Sequence, residues 1–133
     1  MKRLSPFLIL IVISCNKSKV EMPLIGKWRM VELFNGSPQG CSCWGQISPM
    51  YADVLELKLD GKYKIIKPSF SSSIGCSGKY RMANDSTIVL TADCGLPGPA
   101  PDGIGIYSPS LKQLTIEYGY STLSIVKYKY VKL

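Results

Sequence analysis

The chain has 133 residues, with 16 lysines and arginines against 9 aspartates and glutamates, five cysteines and no histidine. The length suits one core of ordinary domain size without room for a second, and the missing histidine removes the usual general base near neutral pH, the usual partner of a nucleophilic Ser or Cys, and the commonest metal ligand. The net charge of +7 comes from basic residues scattered along the chain; no run of them marks a nucleic-acid site, and what remains is a mild attraction to anionic lipid or glycan.

The chain opens Met1-Lys2-Arg3, continues through the apolar run Phe7-Leu8-Ile9-Leu10-Ile11-Val12-Ile13, and reaches Ser14-Cys15. A basic start, a short apolar stretch and a small residue before the cut predict a cleaved secretory signal over residues 1–14. The run falls well short of the roughly 20 apolar residues that a membrane-spanning helix needs. Val12-Ile13-Ser14-Cys15 resembles the bacterial lipobox, which implies diacylglycerol on the Cys15 thiol, cleavage before it, and further acylation (palmitate or a similar chain) of the new amino terminus. Cleavage would also take Lys2 and Arg3 from the net +7, leaving +5. Several acyl chains exceed the two signals that stable anchoring takes. The expected address is the cell envelope, on an outer membrane facing the periplasm or the surface. Residues 15–23 then form a lipidated cysteine and a polar tether, reaching at most roughly 30 Å.

Residues 24–133 are predicted to form one all-β domain. Gly26 to Leu33 reads as the first strand. Val54-Leu55-Glu56-Leu57-Lys58-Leu59 alternates, with Leu55, Leu57 and Leu59 on one face. Asp60-Gly61 is expected to make a tight turn into Lys62-Tyr63-Lys64-Ile65. A second hairpin joins 78–82 to 87–91, Ile104-Gly105-Ile106-Tyr107 is a short strand, and a third hairpin joins 114–118 to 123–131. The stretch 35–53 is expected to be a long loop, with one helical turn over 48–53. Seven or eight antiparallel strands, each with one apolar face, predict a small up-and-down barrel, whose closure removes exposed edges.

Leu24-Ile25-Gly26-Lys27-Trp28 resembles the Gly-x-Trp opening of lipocalins, and the chain is similar in layout to small lipocalin-like bacterial lipoproteins. The resemblance implies a lipocalin-like barrel, a tryptophan packed across its closed end, and an interior for an apolar ligand. The family's Thr-Asp-Tyr motif has no counterpart. Where its last strand carries an arginine over the tryptophan, this chain offers Lys127, Lys129 and Lys132. Trp28, Leu57, Tyr63, Tyr80, Ile116, Tyr118 and Tyr128 are the candidate ligand-lining residues.

Cys41, Cys43, Cys76 and Cys94 form an even set in an exported domain and read as disulfides. Three arrangements are open. In the first, Cys41 and Cys43 bridge one each to Cys76 and Cys94; in the second, Cys76 pairs with Cys94, which a turn near Asp85 sets opposite, leaving Cys41 with Cys43; in the third, all four hold zinc, against their spacing. No metal or cofactor is called for. Glu32, Asp53, Glu56, Asp85, Asp93, Asp102 and Glu117 supply no pair at a glycosidase spacing. The expected function is a noncatalytic, membrane-anchored envelope lipoprotein that binds a small apolar ligand, a lipid or an envelope partner. The alternatives are a thiol–disulfide protein using Cys41-Ser42-Cys43 and a structural or inhibitory surface module using loops 35–53 and 92–103.

Overall fold

In the computed structural model, residues 22–36, 42–72, 75–94, 102–121 and 124–133 are described. The signal, Cys15, the tether as far as Glu21, Cys41 and the Pro/Gly stretch 95–101 lie outside the described residues. A single 3-10 turn, Met22–Leu24, precedes nine strands: β1 (Gly26–Gly36), β2 (Cys43–Gln46), β3 (Val54–Leu57), β4 (Lys62–Ile66), β5 (Ser77–Met82), β6 (Thr87–Ala92), β7 (Gly103–Ser108), β8 (Gln113–Ser121) and β9 (Ser124–Lys132). Among the described residues there is no α-helix, and no helix long and apolar enough to cross a membrane.

Strands β1 and β3 to β9 each pair antiparallel with the next, and β9 returns to β1, closing an eight-stranded up-and-down barrel with β2 as an extra strand. The long β1 makes this possible. Its first half pairs with β3, Gly26 opposite Leu57 and Arg29 opposite Val54. Its second half pairs with β2, Glu32 opposite Gln46 and Asn35 opposite Cys43. On its other side it runs along β9 with a register shift between Met30 and Glu32, the kind of bulge that bends a strand around a barrel.

The register gives the barrel two different ends. At the turn end lie the 3-10 turn and the connections 58–61, 83–86 and 109–112. The described parts of the connections after β4 and β6, 67–72 with 75–76 and 93–94 with 102, lie at the loop end.

Alternation put one face of each barrel strand inside. Trp28, Leu55, Ile88, Leu90, Leu114 and Ile116 are wholly buried, Leu57 and Tyr130 nearly so. Each such burial contributes about 1.5–3 kcal/mol relative to an exposed side chain. Strand β7 turns its isoleucines outward: Ile104 and Ile106 are 58% and 55% exposed, while Gly103, Gly105 and Tyr107 face in. The interior leaves no space for the isoleucines, since a Cβ on Gly105 would stand 2.5 Å from Ile88 Cγ2.

Three local expectations are corrected. The stretch 35–53 contains β2, whose residues are all exposed and so lack an apolar face to signal a strand. Residues 48–53 form a turn rather than a helical turn, with Tyr51 N–H donating to Ser48 O at 2.9 Å. Leu59 does not join Leu55 and Leu57: β3 ends at Leu57 and Leu59 sits in the turn, 70% exposed. Within that turn only Gly61 takes a left-handed conformation, φ 79°, and Lys58 N–H donates to Lys62 O across it.

Candidate functional site

The register brings six of the seven candidate lining residues into one buried cluster: Trp28, Leu57, Tyr63, Tyr80, Ile116 and Tyr118. Tyr128 packs against it, half-buried. Met30, Leu114, Tyr107 and Tyr130 belong to the same cluster and were not foreseen. The alternation Tyr128-Lys129-Tyr130 could have placed Tyr130 beside Tyr128. Tyr107 was hidden by the apolar Ile104 and Ile106.

The interior is aromatic and uncharged. Trp28 and Tyr107 meet edge-to-face at 5.8 Å between ring centroids, and Tyr118 and Tyr128 at 5.5 Å. The indole N–H of Trp28 donates to Leu24 O at 2.8 Å, so the 3-10 turn closes over the ring. From β9, Lys132 Nζ stands 5.5 Å from the Trp28 ring centroid and donates to Pro23 O. Among the described residues the buried set contains no charged side chain. Burial keeps the phenols protonated. Tyr63 is pushed up to about 12 by desolvation and then by Asp102 and Asp93; Tyr80 is raised by desolvation and then by Asp60; Tyr130 is raised well above the usual range by desolvation and then by Tyr118. The Tyr80 hydroxyl donates to Lys58 O at 2.5 Å. Among the described residues such an interior offers aromatic faces and hydroxyls, those of Tyr63, Tyr80 and Tyr130 held in the neutral form.

Long-range contacts hold the loop end together. Cys76 and Cys94 form a disulfide with Cα atoms 5.2 Å apart, flanking the Gly78–Ala92 pair of β5 and β6. This excludes bridges from Cys41 and Cys43 to that hairpin, and with them a four-thiolate zinc site. Cys43 is itself disulfide-bonded, to a partner outside the described residues. Lys67 pairs with Asp53 at 2.6 Å, and Tyr51 meets Phe70 edge-to-face at 5.2 Å, so the 47–53 and 67–76 connections are tied together. Met50, Tyr51 and Phe70 nonetheless remain largely exposed at this rim. On the outer face beside β2, Lys129 Nζ lies 4.4 Å over the Trp44 ring and pairs with Glu32. Among the described residues no group of three or more Cys, Asp or Glu is placed to hold a metal ion.

One further feature was invisible in the sequence. Lys58, Lys62, Lys64 and Lys79, dispersed along the chain, line a groove of about 300 Å³ on the outer face of β4 and β5, together with Ser77 and Asp93. The chain matches no protein-family model, no curated protein and no solved structure.

Proposed function

We propose that this chain is an exported lipoprotein, acylated at Cys15 and held on an envelope membrane, whose noncatalytic barrel takes a small apolar ligand at its loop end. The observation that supports the ligand reading best is the uncharged aromatic interior. Tyr63, Tyr118 and Tyr128 carry it toward the loop end, where the exposed Met50, Tyr51 and Phe70 stand, while Trp28 and Tyr80 close the turn end and Ile116 lies between. A ligand with one or two polar atoms would find phenol hydroxyls held in the neutral form. The Lys132 ammonium over the Trp28 ring supports the likeness to small lipocalin-like lipoproteins, in which the resemblance implies a cation over that tryptophan.

Intact mass spectrometry of envelope-purified protein, before and after reduction, tests the anchor. The expected species is the chain from Cys15 with acyl groups; an unacylated mass would overturn it. Titration with the apolar fluorophore N-phenyl-1-naphthylamine tests the ligand site. Saturable uptake that Tyr118→Ala weakens is expected, and the absence of saturable uptake would end the ligand reading.

A further inference from the structure

The turn end exposes side chains that barrel packing does not require. Leu59 in connection 58–61 is 70% exposed and Leu111 in connection 109–112 is 69% exposed. Each has a lysine beside it in the chain, and the first turn opens onto the lysine groove. Lys58 is next to Leu59, Lys112 follows Leu111, and Lys62, Lys64 and Lys79 continue the groove along β4 and β5. Register sets Lys62 directly opposite Lys79, a like-charge cross-strand pair that is unfavourable unless an anion lies between the two. Four acidic residues stand near these five lysines and leave a small positive excess. Asp60 stands 3.9 Å from Lys62, Glu56 is the cross-strand partner of Lys64, Asp93 lines the groove, and Asp85 lies in the neighbouring turn. Among the described residues Lys58, Lys64, Lys79 and Lys112 form no ion pair.

This is also the end at which the chain enters the barrel, through Met22–Leu24. Cys15 precedes Met22 by seven residues in the sequence, a reach of at most roughly 25 Å. We infer that the turn end is a docking face for an anionic lipid bilayer, with Leu59 and Leu111 entering the interfacial layer and Lys58, Lys62, Lys64, Lys79 and Lys112 meeting headgroup phosphates. The inference rests on the anchoring at Cys15 proposed above. Apolar tips within a basic surround are the composition that interfacial binding uses, and each lysine near an anionic surface strengthens it about fivefold. Docking in this orientation points the loop end, with Met50, Tyr51 and Phe70, away from the membrane.

Hydrogen exchange on the acylated chain tests this, in nanodiscs of phosphatidylcholine with and without phosphatidylglycerol. The expected result is exchange slowed about fivefold or more in 58–61 and 109–112 when phosphatidylglycerol is present, with 48–53 and 68–72 unchanged. Lys58→Gln, Lys62→Gln, Lys64→Gln and Lys79→Gln together should abolish the dependence on anionic lipid, and Leu59→Ser with Leu111→Ser should abolish the slowing in both turns. Slowing at 48–53 and 68–72 instead would reverse the orientation and overturn the inference, as would equal exchange in the two nanodiscs. A chain that proves unacylated fails the anchoring reading alone; its sedimentation with phosphatidylglycerol vesicles then decides the face, lysine-dependent binding supporting it and no binding overturning it.

Discussion

The two ends of this barrel are held by different means. At the turn end the connections 58–61, 83–86 and 109–112 are four residues each and turn on contacts near in sequence, with Tyr80 and Lys132 adding ties from distant strands. Asp60 Oδ1 accepts from Lys62 N–H, Asn84 Oδ1 accepts from Ser86 and Thr87 N–H, and Trp28 reaches back to Leu24. Short polar side chains that satisfy their own backbone make such turns local decisions. At the loop end the connections 67–76 and 93–102 are ten residues each, and what ties them is distant in sequence: Cys76 to Cys94, Asp53 to Lys67, Tyr51 to Phe70. Local closure fixes one end of the scaffold, which frees the other to present long loops, where recognition usually resides.

Emptying the turn end is the most severe way to test that contrast. Trp28→Ala removes a wholly buried indole and the closure of the 3-10 turn, and should cost about 3–5 kcal/mol in urea unfolding. Its amide exchange should rise throughout the barrel. Removing the staple at the loop end is next. Cys76→Ser with Cys94→Ser releases a bridge across 18 residues and should cost about 3 kcal/mol, acting mainly on the unfolded chain. Exchange should then rise in 67–76 and 93–102 while β1, β8 and β9 stay protected. If the double serine variant exposes the whole barrel and Trp28→Ala does not, the assignment of roles to the two ends is wrong.

Alkaline pH sharpens the contrast with a smaller effect. The Tyr63 phenol is raised from 10.0 to about 12, first by burial and then by Asp102 and Asp93 at the loop end. Below pH 10 the folded and unfolded chains both hold the proton, and the contribution to stability is complete. Between about pH 10 and 12 the unfolded chain releases the proton first, so stability falls as pH rises. Tyr63→Phe should make that fall shallower by one proton's worth, read from urea midpoints across the window. An unchanged slope would show that the phenol titrates normally.

Much of the barrel was legible because a half-buried strand advertises itself by alternation. Leu55, Leu57, Tyr63 and Tyr80 could be assigned inward from spacing alone, and the same hairpin register set Cys76 opposite Cys94. Legibility failed where the cause of a structure is not local. Strand β2 pairs with the part of β1 that outruns β3, Glu32 to Asn35, an edge that Cys43–Gln46 fills without adding a buried residue. Gly103 and Gly105 face in because Ile88, Leu90 and Ile116 already fill the space, a fact held in the two neighbouring strands β6 and β8. The groove lysines are ordinary outward residues on their own strands and become a cluster only through the β4–β5 register.

The finest test compares one interaction in two settings. Lys132 lies over Trp28 at the turn end and Lys129 over Trp44 beside β2, with the nitrogen 5.5 and 4.4 Å from the ring centroids. Distance alone favours the second pair, yet Trp28 is fully buried and Trp44 is 41% exposed. Desolvation strengthens the attraction of a cation for a ring face, and exposed cases contribute little. Lys132 also donates to Pro23 O, so it joins the last strand to the segment that enters the barrel. Lys132→Met keeps the stem and removes the charge and the donor, and should cost about 1 kcal/mol. Trp44→Ala should change stability by no more than about 0.5 kcal/mol, as expected of an exposed site. Urea unfolding of both variants decides the matter. Should Trp44→Ala cost more than Lys132→Met, the extra strand would be part of what stabilises the barrel, and the contrast between a fixed end and a free one would have to include it.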